Sequence, residues 1–312
     1  MKTPHTLNIL VTGGAGFIGS HVARAYVQEG HNVVVLDDLS TGSRTNVPKE
    51  ATFVRGDLET VAFATLLGDH AIDLVNHHAA HIDLRASVAD PVADARTNIL
   101  GSLRLLEGCR RAGVRRIVFA STGGAIYGEP RGASSSESDP TDPVSPYGVA
   151  KLAVEKYLHV FRVAHGFQTV IFRYANVYGP GQTGSGEAGV VAILLERMLA
   201  GRVPVIHGDG EQTRDFVFIR DCVDANRWAL GFPGSGIWNI GTGVETSVNR
   251  LFDLLCDATG KQLPAAHDAP APGEQRRSVL NGEKYLNDFG VSAYTSLRDG
   301  LSETVARFPR PR

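Results

Sequence analysis

Short apolar, β-branched runs recur through the first half of the chain: LNILVTG (7–13), HNVVVLD (31–37), ATFVRGD (51–57), AIDLVNH (71–77), RRIVFAS (115–121) and QTVIFRY (168–174). They are nearly continuous rather than alternating, which is the pattern of parallel strands covered on both faces. Helical stretches lie between them. One is predicted from Asp90-Pro91 to about Gly113, with a cap residue at its start and a glycine stop. This alternation predicts an α/β fold built on a doubly wound parallel sheet. After about residue 175 the pattern loosens into short apolar pieces, Gly/Pro turns (YGPGQTGSGEAG) and one amphipathic helix (VVAILLERMLAG), which predicts a smaller C-terminal α/β lobe. RDFVFIRDCVDANRWAL again reads as strand plus helix. The expected division is therefore 1–175 with 212–240 returning to it, and 176–211 with 241–312 as the lobe. The terminal RFPRPR reads as a solvated tail.

Composition narrows the partners. With 312 residues, 43% hydrophobic and 21% charged, the chain can bury a large core, and a formal charge of −2 gives no electrostatic case for nucleic acid or anionic membrane. No apolar run approaches the roughly 18 residues of a membrane span. Cys109, Cys222 and Cys256 are widely spaced, so neither a disulfide framework nor a zinc site is expected, and a reducing cytoplasm is the expected location. The start of the chain lacks the charged, apolar and cleavage regions of a signal peptide.

Candidate chemistry begins at the first βα turn. VTGGAGFIGSH places Gly13, Gly16 and Gly19 between a strand and a helix. There a diphosphate can approach backbone N–H groups at the helix N-terminus. The second strand ends in Asp37, eighteen residues after Gly19. A carboxylate there accepts from a ribose diol and repels a 2′-phosphate, which selects NAD over NADP. This is the sequence pattern of a Rossmann fold. Asp57, at the third strand end, fits either an adenine contact or a plain turn.

SPYGVAK supplies the second element. Ser145 and Pro146 suit a helix start, and Tyr147 and Lys151 then share one face at i and i+4. A free phenol has a pKa of about 10 and needs nearby positive charge to act as a base near neutrality. His77, His78 and His81 do not form a metal site: His77 and His78 face opposite ways on a strand, and no carboxylate or cysteine cluster accompanies them.

Taken together, TGGAGFIGSH, LDDLSTG, NHHAA, STGGAIYGE, SPYGVAK, FRYANVYGPGQ, GDGEQTRDFVF and NIGTG resemble the extended short-chain dehydrogenase/reductase family, in its NAD-dependent epimerase/dehydratase branch that contains the UDP-glucose 4-epimerases. The resemblance covers nearly the whole chain. It implies that Tyr147 is the base, that Lys151 lowers its pKa and binds the nicotinamide ribose, and that a strand-end hydroxyl, Ser121 or Thr122, meets the sugar O4. It further implies cofactor contacts at Phe17, Ile18, Asp38, Leu58, His78, Ala79, Ala80, Asn98 and Tyr174, beside Gly13, Gly16, Gly19, Asp37 and Asp57. Sugar-nucleotide contacts would come from Asn176, Val190, Arg214, Glu274 and Ser278. Arg214 otherwise reads as a surface ion pair with Asp215 or Glu211. Relatives carry an arginine where this chain has Ala271, so either Arg276 or Arg277 takes over the phosphate contact.

The implied reaction is 4-epimerisation of a UDP-hexose, with N-acetylated forms admitted because Ser278 stands where a tyrosine would close the C2 side. The partners implied are a UDP-sugar and a second copy of the chain, joined through the 91–113 and 147–165 helices. A 4,6-dehydratase would need an Asp-Glu pair after Thr122, where Gly123 and Gly124 stand. A UDP-glucuronate 4-epimerase and a non-catalytic NAD-sensing module remain as other readings.

Overall fold

A computed structural model describes residues 5–184, 189–269 and 275–309. Each apolar run of the first half becomes a strand: β1 (Asn8–Thr12), β2 (Asn32–Asp37), β3 (Thr52–Arg55), β4 (Leu74–His77), β5 (Arg116–Thr122) and β6 (Gln168–Tyr174). The later strands are β7 (Asn176–Tyr178), β8 (Val205–His207), β9 (Thr213–Phe218), β10 (Gly236–Ile240), β11 (Glu245–Ser247), β12 (Ala266–Asp268) and β13 (Arg277–Ser278).

The main sheet has the order β10-β6-β5-β4-β1-β2-β3. The pairs β1–β2, β1–β4, β2–β3 and β4–β5 are parallel, and Leu10 sits between Val34 and Val75 in register. The order reverses at β1, and in such sheets ligands bind beyond the C-terminal strand ends at that point. Strand side chains such as Leu10, Leu36, Val75 and Phe119 pack with Leu105, Leu158 and Phe161 from the covering helices. Burial on both faces explains why these strands lack an alternating pattern.

Local signals place the key helix. The Ser145 hydroxyl accepts the Gly148 N–H, Pro146 occupies the first turn, and Gly166 ends the Pro146–His165 helix in a left-handed conformation at φ 68°. The helix expected over 90–113 is interrupted. It runs Pro91–Ala95, widens into a π-helical turn at Arg96–Gly101, and resumes at Ser102–Ala112 before Gly113. At the widened turn Asn98 turns its amide to the His81 backbone, and Gly101 packs so closely on Leu58 that a Cβ would lie 2.7 Å from the Leu58 Cβ. Neither interaction is visible in helical periodicity.

The chain divides into two compact units: 5–126 with 143–173 and 223–237, and 127–142 with 174–184, 189–222, 238–269 and 275–309. Residues 127–142, 174–175, 212–222 and 238–240 group differently from expectation. Residues 212–222 stay with the second unit because β9 is the centre of its sheet, pairing with β7, β11 and β13. Residues 127–142 join it as well, since the Glu129 carboxylate accepts the backbone N–H groups of Arg276 and Arg277. The helix expected from VVAILLERMLAG is Val190–Leu199.

Candidate active site

The glycine turn is shaped by what it excludes. Gly13 has φ +67°, and a Cβ there would sit 2.6 Å from the Ala79 nitrogen. A Cβ on Gly19 would sit 2.3 Å from the Gly13 carbonyl oxygen. At the N-terminus of the Phe17–Gln28 helix, Gly16 supplies no side-chain cap, so the first-turn N–H groups face outward without one. This cradle, bounded by Ala79 in the turn after β4, fits a dinucleotide diphosphate.

Asp37 lies at the end of β2, with Oδ2 accepting the Ala15 N–H at 2.9 Å and Oδ1 accepting the Leu39 N–H at 2.8 Å. Burial pushes its carboxyl upward, and these hydrogen bonds oppose that rise. The carboxylate is thereby fixed beside the glycine turn with lone pairs to spare for a ribose diol. Asp38 instead accepts from the Ser40 N–H and hydroxyl. Asp57 closes its own turn. Desolvation raises its carboxyl, but hydrogen bonds from Thr60 and Glu59 outweigh it and lower the pKa. Leu58 belongs to the core.

Histidine positions separate cleanly. His77 is buried between Thr12 and Ser102, with Nδ1 2.7 Å from the Thr12 hydroxyl and Nε2 2.9 Å from the Ser102 hydroxyl. Ser102 spends its own proton on the Asn98 carbonyl at 2.6 Å, so it accepts the Nε2–H of a neutral imidazole. Nδ1 then accepts from Thr12, which itself accepts the Ala79 N–H. This chain of hydrogen bonds ties the end of β1, the 78–81 turn and the widened turn at Asn98. His78 is only half-buried as a residue, but its Nε2 is sealed from solvent and has no hydrogen-bond partner. Burial, reinforced by Lys151, lowers its pKa to about 3. Among the described residues no cluster could hold a metal ion.

The Tyr/Lys pair meets the end of β5. The Lys151 ammonium is buried, donates to the Ala120 carbonyl at 2.9 Å, and lies 5.9 Å from the centre of the Tyr147 ring. Gly148, between them, could not carry a side chain, because a Cβ would lie 2.4 Å from the Ala125 carbonyl oxygen. The two strand-end hydroxyls differ. Ser121 is buried and donates to Glu155 Oε1 at 2.6 Å, whereas Thr122 is half-exposed at the edge of the strand. Sequence reading left that choice open and did not single out Glu155 or its partner Arg173, which lie far apart along the chain.

In the second unit, Asn176 (β7), Arg214 (β9) and Ser278 (β13) sit on neighbouring strands, with Asn176 opposite Phe216 and Ser278 opposite Arg214. Ser278 is buried, and Val190 opens its helix half-buried. Asp215 is buried and accepts from Thr242, Gly243 and Leu280. Arg276 pairs with both oxygens of Asp209, and Arg277 grips Glu245. Arg276 holds the Asp209 carboxyl down at about 2. Glu274 and Ala271 lie outside the described residues. Tyr174, at the end of β6, is buried.

The NAD dependent epimerase/dehydratase family model matches residues 9–241. The UDP-glucose 4-epimerase of Mycolicibacterium smegmatis is 41% identical over 308 residues, 97% of this chain and 98% of the relative. The structure of the Thermotoga maritima UDP-glucose 4-epimerase with UDP-glucose superposes with a TM-score of 0.94 at 44% identity, over 96% of this chain and 98% of the other. That of the Thermus thermophilus enzyme in complex with NAD gives 0.92 at 42% identity over the same shares.

Proposed function

The chain belongs to the NAD-dependent epimerase/dehydratase family, and on that premise we propose that it interconverts the C4 epimers of UDP-hexoses through a transient 4-keto sugar. UDP-glucose and UDP-galactose are the first substrates, with N-acetylated forms admitted. The observation that carries this reading is the Tyr147–Lys151 pair seated at the end of β5, with Lys151 buried on the Ala120 carbonyl.

The Tyr147 phenolate, stabilised by the Lys151 charge, takes the proton of the sugar 4-hydroxyl and becomes a neutral phenol. Bound NAD⁺ supplies a reversible hydride acceptor for C4 and is regenerated in each cycle. Thr122 donates a hydrogen bond to O4, the Ser121 hydroxyl being committed to Glu155. After the keto sugar turns its other face, Tyr147 returns the proton and C4 is inverted. The Gly13–Gly19 turn holds the diphosphate with Phe17 and Ile18 at the helix start, and Asp37 the adenosine ribose. Ala79, Ala80 and Asn98 shape the nicotinamide side. Asn176, Val190, Arg214 and Ser278 bind the sugar nucleotide, whose remote contacts anchor it while the hexose reorients. Gly123 and Gly124 begin the short Gly123–Ile126 helix, so no carboxylate follows Thr122 to expel a 6-hydroxyl, which favours epimerisation over dehydration.

The enzyme is cytoplasmic and works as a homodimer. Val92, Leu100, Val149, Tyr157, Val160 and Val163 are all exposed on the 91–101 and 146–165 helices. Such a set of exposed apolar side chains suits a self-complementary contact. Sedimentation of wild type and of Val160→Asp/Val163→Asp tests it: a monomeric wild type overturns the dimer.

Incubation with UDP-glucose, UDP-galactose and their N-acetyl and glucuronate analogues, read by NMR at C4, tests the activity. Interconversion of the hexose pair is expected. Turnover of the glucuronate alone, or of none, overturns it. Tighter binding of NADP than NAD overturns the role of Asp37.

A further inference from the structure

Tyr147, Lys151 and Glu155 recur at four-residue intervals along the Pro146–His165 helix, so they rise from one face. Glu155 has no part in the chemistry above, yet it is one of the most deeply buried charges, its side chain 2% exposed and that of Arg173 4%. Its Oε1 accepts from the Ser121 hydroxyl at 2.6 Å and from Arg173 Nε at 3.0 Å, and its Oε2 accepts from Arg173 Nη2 at 2.6 Å. One turn earlier, Lys151 donates to Ala120, the residue before Ser121. Two successive residues at the end of β5 thus hold two successive turns of the helix that carries Tyr147. A buried ion pair gains little over well-packed apolar groups. Its presence here points to a task other than stability.

We propose that Glu155 and Arg173 form a positioning pair that clamps the Tyr147 helix to the end of β5 through Ser121 and, being electrically balanced, leaves the charge acting on Tyr147 to Lys151. The other titratable groups around Lys151 fit this arrangement. From the end of β4 and the turn after it, His77 and His78 are held neutral by burial. From the Pro91–Ala95 helix, burial raises the Asp94 carboxyl against a hydrogen bond from Asn98. From β6, Arg173 is already paired with Glu155. Removing one member of the pair therefore places a net charge beneath the phenol, and the two removals act in opposite directions.

The role given to Tyr147 rests on the epimerase reading, so the test uses a measurement that needs no turnover. In NAD-loaded protein, the tyrosinate ultraviolet difference spectrum is titrated, with Tyr147→Phe subtracted, beside the pH profile of kcat/KM. Glu155→Gln leaves Arg173 uncompensated and is expected to move the Tyr147 titration down by on the order of one pH unit. Arg173→Met leaves Glu155 and is expected to move it up, while Arg173→Lys holds it in place. Glu155→Gln/Arg173→Met carries no unpaired buried charge, is the variant best able to fold, and should restore the wild-type titration. Ser121→Ala should lower kcat several-fold with the titration unmoved. Shifts of the same sign, no shift, or a double variant that fails to restore the titration overturns the proposal. Titrations that behave as expected in a protein that epimerises no sugar overturn the proposed function and leave the pair standing.

Discussion

Around Tyr147 and Lys151 in the first unit the charges are buried and held by short bonds from several elements, whereas in the second unit Arg276 lies near the surface on the carboxylate of Asp209. Glu155 and Arg173 are at most 4% exposed, while Arg276 and Asp209 are 56% and 58% exposed. A buried pair cannot lose one member without leaving a charge in a poorly solvated place, so its geometry is stiff and its residues depend on one another. An exposed pair is weak, and water replaces either partner. The first arrangement suits a proton transfer that tolerates little displacement. The second suits recognition, where a phosphate can displace a carboxylate from a guanidinium and where the motif can drift without loss of fold.

The largest effect expected from this contrast is chemical. Tyr147→Phe should lower kcat by roughly 10²–10⁴-fold with NAD and UDP affinity intact, since only the proton acceptor is removed. An unchanged kcat would take Tyr147 out of the mechanism.

Stability should show the contrast next. Arg173→Met is expected to cost about 3–5 kcal/mol in denaturant unfolding, because it strands the Glu155 carboxylate. A cost no larger than that of a surface substitution would contradict the stiffness attributed to this region.

Acid should loosen the first unit through its neutral histidines. His77 and His78 have pKa values depressed by burial, His78 to about 3, while the unfolded chain takes up these protons near pH 6.5. Between those values the unfolded state binds more protons, so stability is full above about pH 6.5 and falls as pH drops toward 3. From pH 6.5 to 5 His78 should remove about 2 kcal/mol. His78→Gln should flatten the slope of unfolding free energy against pH, and an unaltered slope would show that His78 is already protonated or solvated in the folded protein.

In the second unit the effects concern selectivity. Ser278→Tyr, at a buried position beside Arg214 in register, should cut kcat/KM for UDP-N-acetylglucosamine far more than for UDP-glucose. Equal losses, or a wild type inert toward the N-acetyl sugar, would remove Ser278 from the C2 side. The smallest effect is expected of Arg276→Ala: an unchanged unfolding midpoint, because its pair is exposed, with a few-fold loss of UDP affinity read by calorimetry. Unaltered affinity would return the phosphate contact to Arg277.

What could be read from the chain alone was whatever depends on near neighbours. The strands appear as uninterrupted apolar runs because both faces of the sheet are covered. Gly13, Gly16 and Gly19 appear as a spacing because a tight turn and a close approach need them there, and Tyr147 and Lys151 pair because one helical turn separates them. The tertiary structure alone decided which of Ser121 and Thr122 is spoken for, since Glu155 reaches Ser121 across 34 residues and Arg173 meets Glu155 across 18. It alone revealed the widened turn at Asn98, which depends on His81 and Leu58, and the claim of Asp209 on Arg276, 67 residues away. Periodicity and spacing record what a residue's neighbours along the backbone demand. Hydrogen bonds and ion pairs between distant segments exist only once the chain has folded them together.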